Sequence, residues 1–226
     1  MGQREVGPTR RAARRGWRIA WLLVPAIAMT GCIAPQFTYV ADSSAKTYFK
    51  VPYQWHKISD SSLAAELKSS GFSAGTGVWD VGYDAAGAPS AAHVLNDATS
   101  KPFVLALVAP LGRTATNAMS YNLLRDIILP VTAQRRQAAA KSGFPLKGFR
   151  LLSDSLITPG TGVHGVRDVF SYTYPDGKTD TFDQVALTNS TSTMVYLLLI
   201  HCESTCYSQN TSQIDTIMTS FTVRNP

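Results

Sequence analysis

From residue 47 to residue 224 the apolar positions switch between a two-residue and a three-to-four-residue spacing. The order of those switches predicts the elements. Thr47-Tyr48-Phe49-Lys50-Val51 is aromatic and β-branched and predicts a short strand, which Pro52 ends. Ser59-Asp60-Ser61-Ser62 then offers N-caps for a helix to about Ser69, with Leu63 and Leu67 on one face. Gly71, Gly75 and Gly77 break the chain. Val78 to Tyr83 and Phe103 to Val108 are the next strands, separated by a loop that includes Ala85-Ala86-Gly87-Ala88-Pro89-Ser90. Residues 114–141 space Ala, Met, Leu and Ile at helical intervals, and Pro130 is expected to kink or split that helix.

Four strands follow: Phe149 to Ile157, Val166 to Tyr174, Asp180 to Thr188 and Thr193 to His201. Pro175-Asp176-Gly177-Lys178 predicts a tight turn between the second and third. Asn189-Ser190-Thr191-Ser192 links the third and fourth. Ser204 or Thr205 can cap a last helix to about Ser220, with Ile214, Ile217 and Met218 inward. Phe221-Thr222-Val223 closes the chain as a short strand. Consecutive hairpins imply an antiparallel sheet, and helices clustered before and after it imply layering. The expected class is α+β, an antiparallel sheet covered by helices.

The N-terminus follows a different logic. Residues 1–18 carry six Arg against one acid, Glu5, and an apolar run of eleven residues extends from Ile19 to Met29. This is the order of an export signal. As a helix the run spans about 16 Å, too short for a bilayer, and it contains Pro25. Met29-Thr30-Gly31-Cys32 resembles a bacterial lipobox, with Met29 where Leu is usual. The resemblance implies a signal peptide over 1–31, an acylated (palmitate-type) Cys32, and an extracytoplasmic chain anchored to the bacterial cell membrane. Arg14-Arg15-Gly16-Trp17 weakly resembles a twin-arginine signal, but the general secretory route is favoured. Residues 32–46 are expected to be the lipidated cysteine and a tether, in which the stretch around Phe37, Tyr39 and Val40 could pair as an edge strand. Residues 47–226 are expected to form a single domain.

Subtracting that leader changes the charge. The whole chain has 21 basic and 15 acidic residues, whereas residues 32–226 keep 15 and 14. The domain as a whole is nearly neutral, so no nucleic-acid partner is expected. The expected partners are the membrane, through the lipid, and an envelope protein or small ligand. Cys202 and Cys206 remain as a pair in a compartment that permits disulfides, and a bridge between them is expected.

Phe49-Lys50-Val51-Pro52 followed by Trp55, then a meander of long strands, then a helix running into Ser220-Phe221-Thr222-Val223, resembles the PsbP-like fold. That α-β-α sandwich is shared by a photosystem extrinsic subunit and by small bacterial lipoproteins of the LpqN type. The resemblance implies a non-catalytic binding or assembly role and carries no catalytic motif onto numbered positions here.

The candidate chemistry is sparse. His201-Cys202-Glu203 with Cys206 could hold zinc, but four ligands at a standard spacing are lacking and a disulfide is the better reading. Asp176, Asp180 and Asp183, with Asp168 upstream, lack the alternation of a calcium loop and read as solvated hairpin acids. The Gly160–Gly165 segment around His164 lacks the residues of a phosphate loop. His56 and His93 are isolated. Neither Gly-x-Ser-x-Gly nor His-Glu-x-x-His occurs. No metal or other cofactor is therefore expected. Aromatics concentrate near the start of the domain, and Tyr53, Trp55, Trp79 and Tyr83 are the candidate ligand-binding residues, with core packing the better reading for at least Trp55 and Trp79. The leading expectation is a non-catalytic binding lipoprotein. The alternative is an envelope hydrolase with a non-contiguous site in which His164 or His201 is the base.

Overall fold

A computed structural model describes residues 35–70 and 77–224; the leader and Cys32 lie outside them. In chain order the elements begin with β1 (Phe37–Asp42), β2 (Thr47–Pro52), β3 (His56–Lys57), α1 (Asp60–Ser69), β4 (Trp79–Asp84) and β5 (Phe103–Pro110). Three short helices follow: α2 (Arg113–Asn117), α3 (Tyr121–Arg125) and α4 (Ala133–Lys141). The meander is β6 (Lys147–Gly160), β7 (Val163–Thr173), β8 (Thr179–Asn189) and β9 (Met194–Glu203). The chain ends in α5 (Ser204–Met218) and β10 (Thr222–Val223).

The strands form two sheets. Seven are ordered β3-β4-β5-β9-β8-β7-β6 and three are ordered β1-β2-β10, with every pairing antiparallel. The edge strand that Phe37, Tyr39 and Val40 could form is thus present as β1, in register with all of β2. The class is α+β, an antiparallel sheet with helices packed on it.

Side chains alternate across the large sheet, so each strand feeds two cores. On one face Val104, Ala106, Val185, Leu198 and Ile200 meet Phe49 and Val51 of the small sheet and Ile214, Ile217 and Met218 of α5. On the other, Phe103, Leu105, Phe170, Phe182, Leu197 and Leu199 meet Leu63 and Leu67 of α1 and Leu124, Ile128 and Leu129 of the α3–α4 region. This double cover is why Val195 to Cys202 is buried without interruption, and why the run reads as continuously apolar rather than alternating. At Gly165 the β8 backbone leaves no room for a side chain: a Cβ there would fall 2.0 Å from the Ala186 carbonyl oxygen.

Two expectations change. The helix expected over 114–141 is three helices, because caps and a turn compete with it. The Ser120 and Thr132 hydroxyls accept from Leu123 N–H and Arg135 N–H and start α3 and α4 afresh. Between them the Asp126 carboxylate accepts from the N–H groups of Val131 and Thr132 and from the Thr132 hydroxyl, at 2.6–2.8 Å. That turn, with Pro130 inside it, lays Ile128 and Leu129 into the core in a non-helical conformation. The hairpin acids also differ: Asp168, Asp180 and Asp183 are fully buried, and among the four only Asp176 is exposed. They sit on strands covered on both sides, where nearly every position is buried.

Candidate functional site

The four candidate aromatics do not form one wall. Trp55 and Tyr83 belong to the core between the two sheets, each 8% exposed, and Trp79 packs partly buried against the same cluster. Burial pushes the Tyr83 hydroxyl up from its ordinary value. Tyr53 is the exception, 61% exposed, with its N–H bonded to the Gln36 carbonyl. The small sheet covers the face of β4 on which Val81 and Tyr83 lie, so Trp55 and Trp79 take the core-packing role preferred for them and Tyr83 joins them there.

Cys202 and Cys206 are joined by a disulfide that ties the end of β9 to the first turn of α5. Alternation along β9 sends His201 to the face opposite Cys202, so the ligand cluster read from the sequence is split between two cores. His201 is fully buried. Its ring stacks on Phe182 at 4.9 Å, lies 6.1 Å from Phe103, and binds Asp180 through Nδ1 at 3.0 Å. His201 Nε2 and Asp180 Oδ1 have no partner among the described residues. His93 Nδ1 meets the buried Asp84 at 2.7 Å, and the ring of His164 lies edge-on to Tyr121. His56 is exposed on β3. Among the described residues, no histidine ring nitrogen bonds a hydroxyl or a thiol.

The buried carboxylates differ in how they are satisfied. Asp183 receives the Arg167 guanidinium in a bidentate contact at 3.0 and 2.9 Å and the Tyr207 hydroxyl at 3.0 Å. Arg167 also reaches Asp215, so the network pins α5 to the sheet. Asp168 has no cation in contact. It accepts from Gln184 Nε2 at 3.3 and 3.5 Å, while the same nitrogen donates to the Leu124 and Arg125 carbonyls. Burial, only partly offset by Gln184, pushes the Asp168 carboxyl up to about 8.

Concave surface lies on the helix-covered face. A cavity of about 420 Å³ opens between Ser70 at the end of α1, Asp126 to Pro130, α4 and Phe144. A neighbour of about 340 Å³ shares Ser70, Ile128, Leu129 and Phe144 and extends to Leu146 and Tyr174. Together they make a groove with an apolar floor. The Ser70 hydroxyl in it is buried without a hydrogen-bond partner among the described residues.

Arg135 lines the larger cavity, and the segment that supplies this wall is basic in sequence. Between Arg113 and Arg150 there are seven Lys or Arg and one acid, Asp126. Asp126 is consumed by the turn before α4, Arg125 pairs with Asp154, and Arg136 stacks on Phe149 and donates to the Val131 carbonyl. Arg113, Arg135, Lys141, Lys147 and Arg150 remain exposed, with no ion pair among the described residues. Sequence reasoning missed this site because the charge was balanced over the whole domain. The run of seven cations against one acid was the available signal.

No family model and no curated protein matches this sequence. Among solved structures, the chain is similar to cyanobacterial PsbP (CyanoP) from Synechocystis sp. PCC 6803, at 13% identity and a TM-score of 0.49, covering 89% of this chain and 100% of that one. It is also similar to LpqN, involved in cell envelope biogenesis of Mycobacterium tuberculosis, at 16% identity and a TM-score of 0.43, over 83% of this chain and 90% of that one. The Saccharomyces cerevisiae Ran-binding protein Mog1p matches at 7% identity and 0.43, over 83% and 95%. At such identities these likenesses concern the course of the chain, and no activity passes from them to this protein. No helix among the described residues is long and apolar enough to cross a membrane.

Proposed function

We propose that this protein is a non-catalytic binding lipoprotein, held outside the cytoplasm by an acylated Cys32, whose groove beside α4 takes an anionic ligand or partner segment with an apolar part. The observation that carries the reading is the pairing of an apolar floor (Ile128, Leu129, Phe144) with exposed cations that have no internal acid. An apolar cavity with few polar groups is the usual form of a ligand site, and cations that remain solvated can attract an anion without losing an internal bond. The histidines support a non-catalytic reading too. His201, one of the two bases of the hydrolase alternative, is enclosed by aromatic rings, and His164 contacts a tyrosine ring rather than a nucleophile.

The anionic aromatic dye anilinonaphthalene sulfonate is a suitable probe, because it combines both features. The folded chain is expected to bind it saturably, and Arg135→Glu is expected to weaken binding about tenfold by replacing attraction with repulsion at the rim. Equal binding by both proteins would refute the groove as the site. The anchoring is tested separately by the mass of the N-terminal peptide, which should carry acyl chains on Cys32.

A further inference from the structure

The three-stranded sheet has an outer side that is exposed at Tyr39 and Ala41, while at one end Phe37 and the buried Pro52 line a shallow pocket with α5. Its inner face places Val40, Phe49, Val51 and Val223 in the core. Alternation puts Phe37, Tyr39 and Ala41 of β1 on the outer side, opposite Pro52, Lys50 and Tyr48 of β2. Tyr39 is 75% exposed, and Tyr53 in the turn just after β2 is 61% exposed. The Lys50 ammonium lies 4.6 Å over the Phe37 ring, and the Arg224 guanidinium lies 4.8 Å over Tyr48. None of these outward residues is acidic. Asp42, the one carboxylate of β1, has its Oδ1 bonded to Ala45 N–H in the following turn.

Exposed Tyr rings interleaved with Lys and Arg are the side chains that settle at a lipid headgroup layer, where the ring meets the apolar boundary and the cation meets phosphate. The covalent chain limits where this face can go. Because Phe37 already belongs to the folded domain, only four residues separate it from Cys32, and the five steps between them span at most about 17 Å. A headgroup layer is itself about 5–8 Å thick. An acylated Cys32 therefore holds β1 against the bilayer, while the basic groove lies beyond the central sheet, a further layer or two of about 10 Å each.

We propose that the outer face of the three-stranded sheet, with Tyr39, Lys50 and Arg224, and with the exposed Tyr53 in the turn that follows β2, docks on the lipid surface in which Cys32 is anchored, leaving the groove turned toward the aqueous side. This rests on the anchoring reading above. It adds a second contact to the lipid, and two contacts hold a protein at a membrane far longer than one.

Amide hydrogen exchange of the mature acylated chain, in vesicles of phosphatidylcholine with phosphatidylglycerol and in detergent, tests the proposal. The vesicles should slow exchange in residues 37–53 and 222–224 and leave α4 unchanged. Lys50→Gln with Arg224→Gln should reduce that protection about fivefold per cation, and only when phosphatidylglycerol is present. Tyr39→Ser with Tyr53→Ser should reduce it in both lipid mixtures, and unchanged exchange in β9 reports that each variant is folded. An acylated chain protected at α4 or β6 instead, or nowhere, overturns the docking while the anchor stands. A chain recovered without acyl groups and free of the membrane overturns both.

Discussion

Asp168 makes the interior of the large sheet sensitive to pH, in the direction opposite to a carboxylate paired with a cation: it favours the fold in acid. Its carboxyl is buried without a cation, and burial holds it near 8, against an ordinary value of about 3.9. A raised acid pKa in the folded state means that the folded protein binds more protons than the unfolded chain between about pH 4 and pH 8. Stability from this group is present at low pH and is lost as pH rises through that window, at about 1.4 kcal/mol per unit. Across the pH range 5 to 8 the loss is about 4 kcal/mol as an upper limit, since water entry and side-chain relaxation reduce it. Asp168→Asn removes the titration but keeps an oxygen to accept from Gln184 Nε2, whose orientation is set by the Leu124 and Arg125 carbonyls. Urea unfolding at pH 5, 6.5 and 8 with the disulfide intact should show the variant near or slightly below the parent at pH 5. At pH 8 it should be more stable by several kcal/mol. The difference between the two proteins isolates Asp168, because every other titrating group is common to both. Parallel stability curves would show that Asp168 is ionised or solvated in the folded state, and the argument from burial would fall.

Other perturbations separate strong from weak contacts. Arg167→Ala strands Asp183, which is fully buried, and should cost about 3–5 kcal/mol in urea unfolding, whereas Asp215→Ala, at a half-exposed carboxylate of the same network, should cost less than about 1 kcal/mol. Gly165→Ala drives a methyl into the β8 backbone and should cost about 3 kcal/mol or more, read as a large fall in melting temperature or as loss of the folded protein. The Cys202–Cys206 bridge closes only a four-residue separation, so reducing it should cost about 2 kcal/mol, measured by unfolding with and without reductant.

Some features were readable directly in the residues. Tight turn residues at 175–178 and 189–192, with long β-rich segments between, specify an antiparallel meander, because two-to-four-residue links permit nothing else. The spacing of Ile214, Ile217 and Met218 predicted the buried stripe of α5, and all three are in the core. The segment 114–141 was not readable, since its apolar spacing suits a helix while two side-chain caps, Ser120 and Thr132, and an Asp126-centred turn offer the backbone competing bonds. The buried acids were hidden for another reason. Asp168, Asp180 and Asp183 flank a polar hairpin, and local composition cannot report that both sides of the sheet are covered.

The candidate sites divide in the same way. Tyr53, Trp55, Trp79 and Tyr83 are neighbours in sequence, but strand alternation and the small sheet assign them different environments. The basic run between Arg113 and Arg150 was countable, yet the groove that Arg135 lines between α4 and Phe144 is made by the fold. By itself the sequence determined the hairpin order, the helix faces, the cysteine pair and the resemblance of Met29–Cys32 to an acylation site, because each depends on residues within a few positions of one another. The tertiary structure alone decided that two sheets share a core, that three acids are enclosed, and that β1 brings the folded domain to within five residues of Cys32. Those facts depend on segments far apart in the chain, whose approach is set by the burial of both sheet faces rather than by any local pattern.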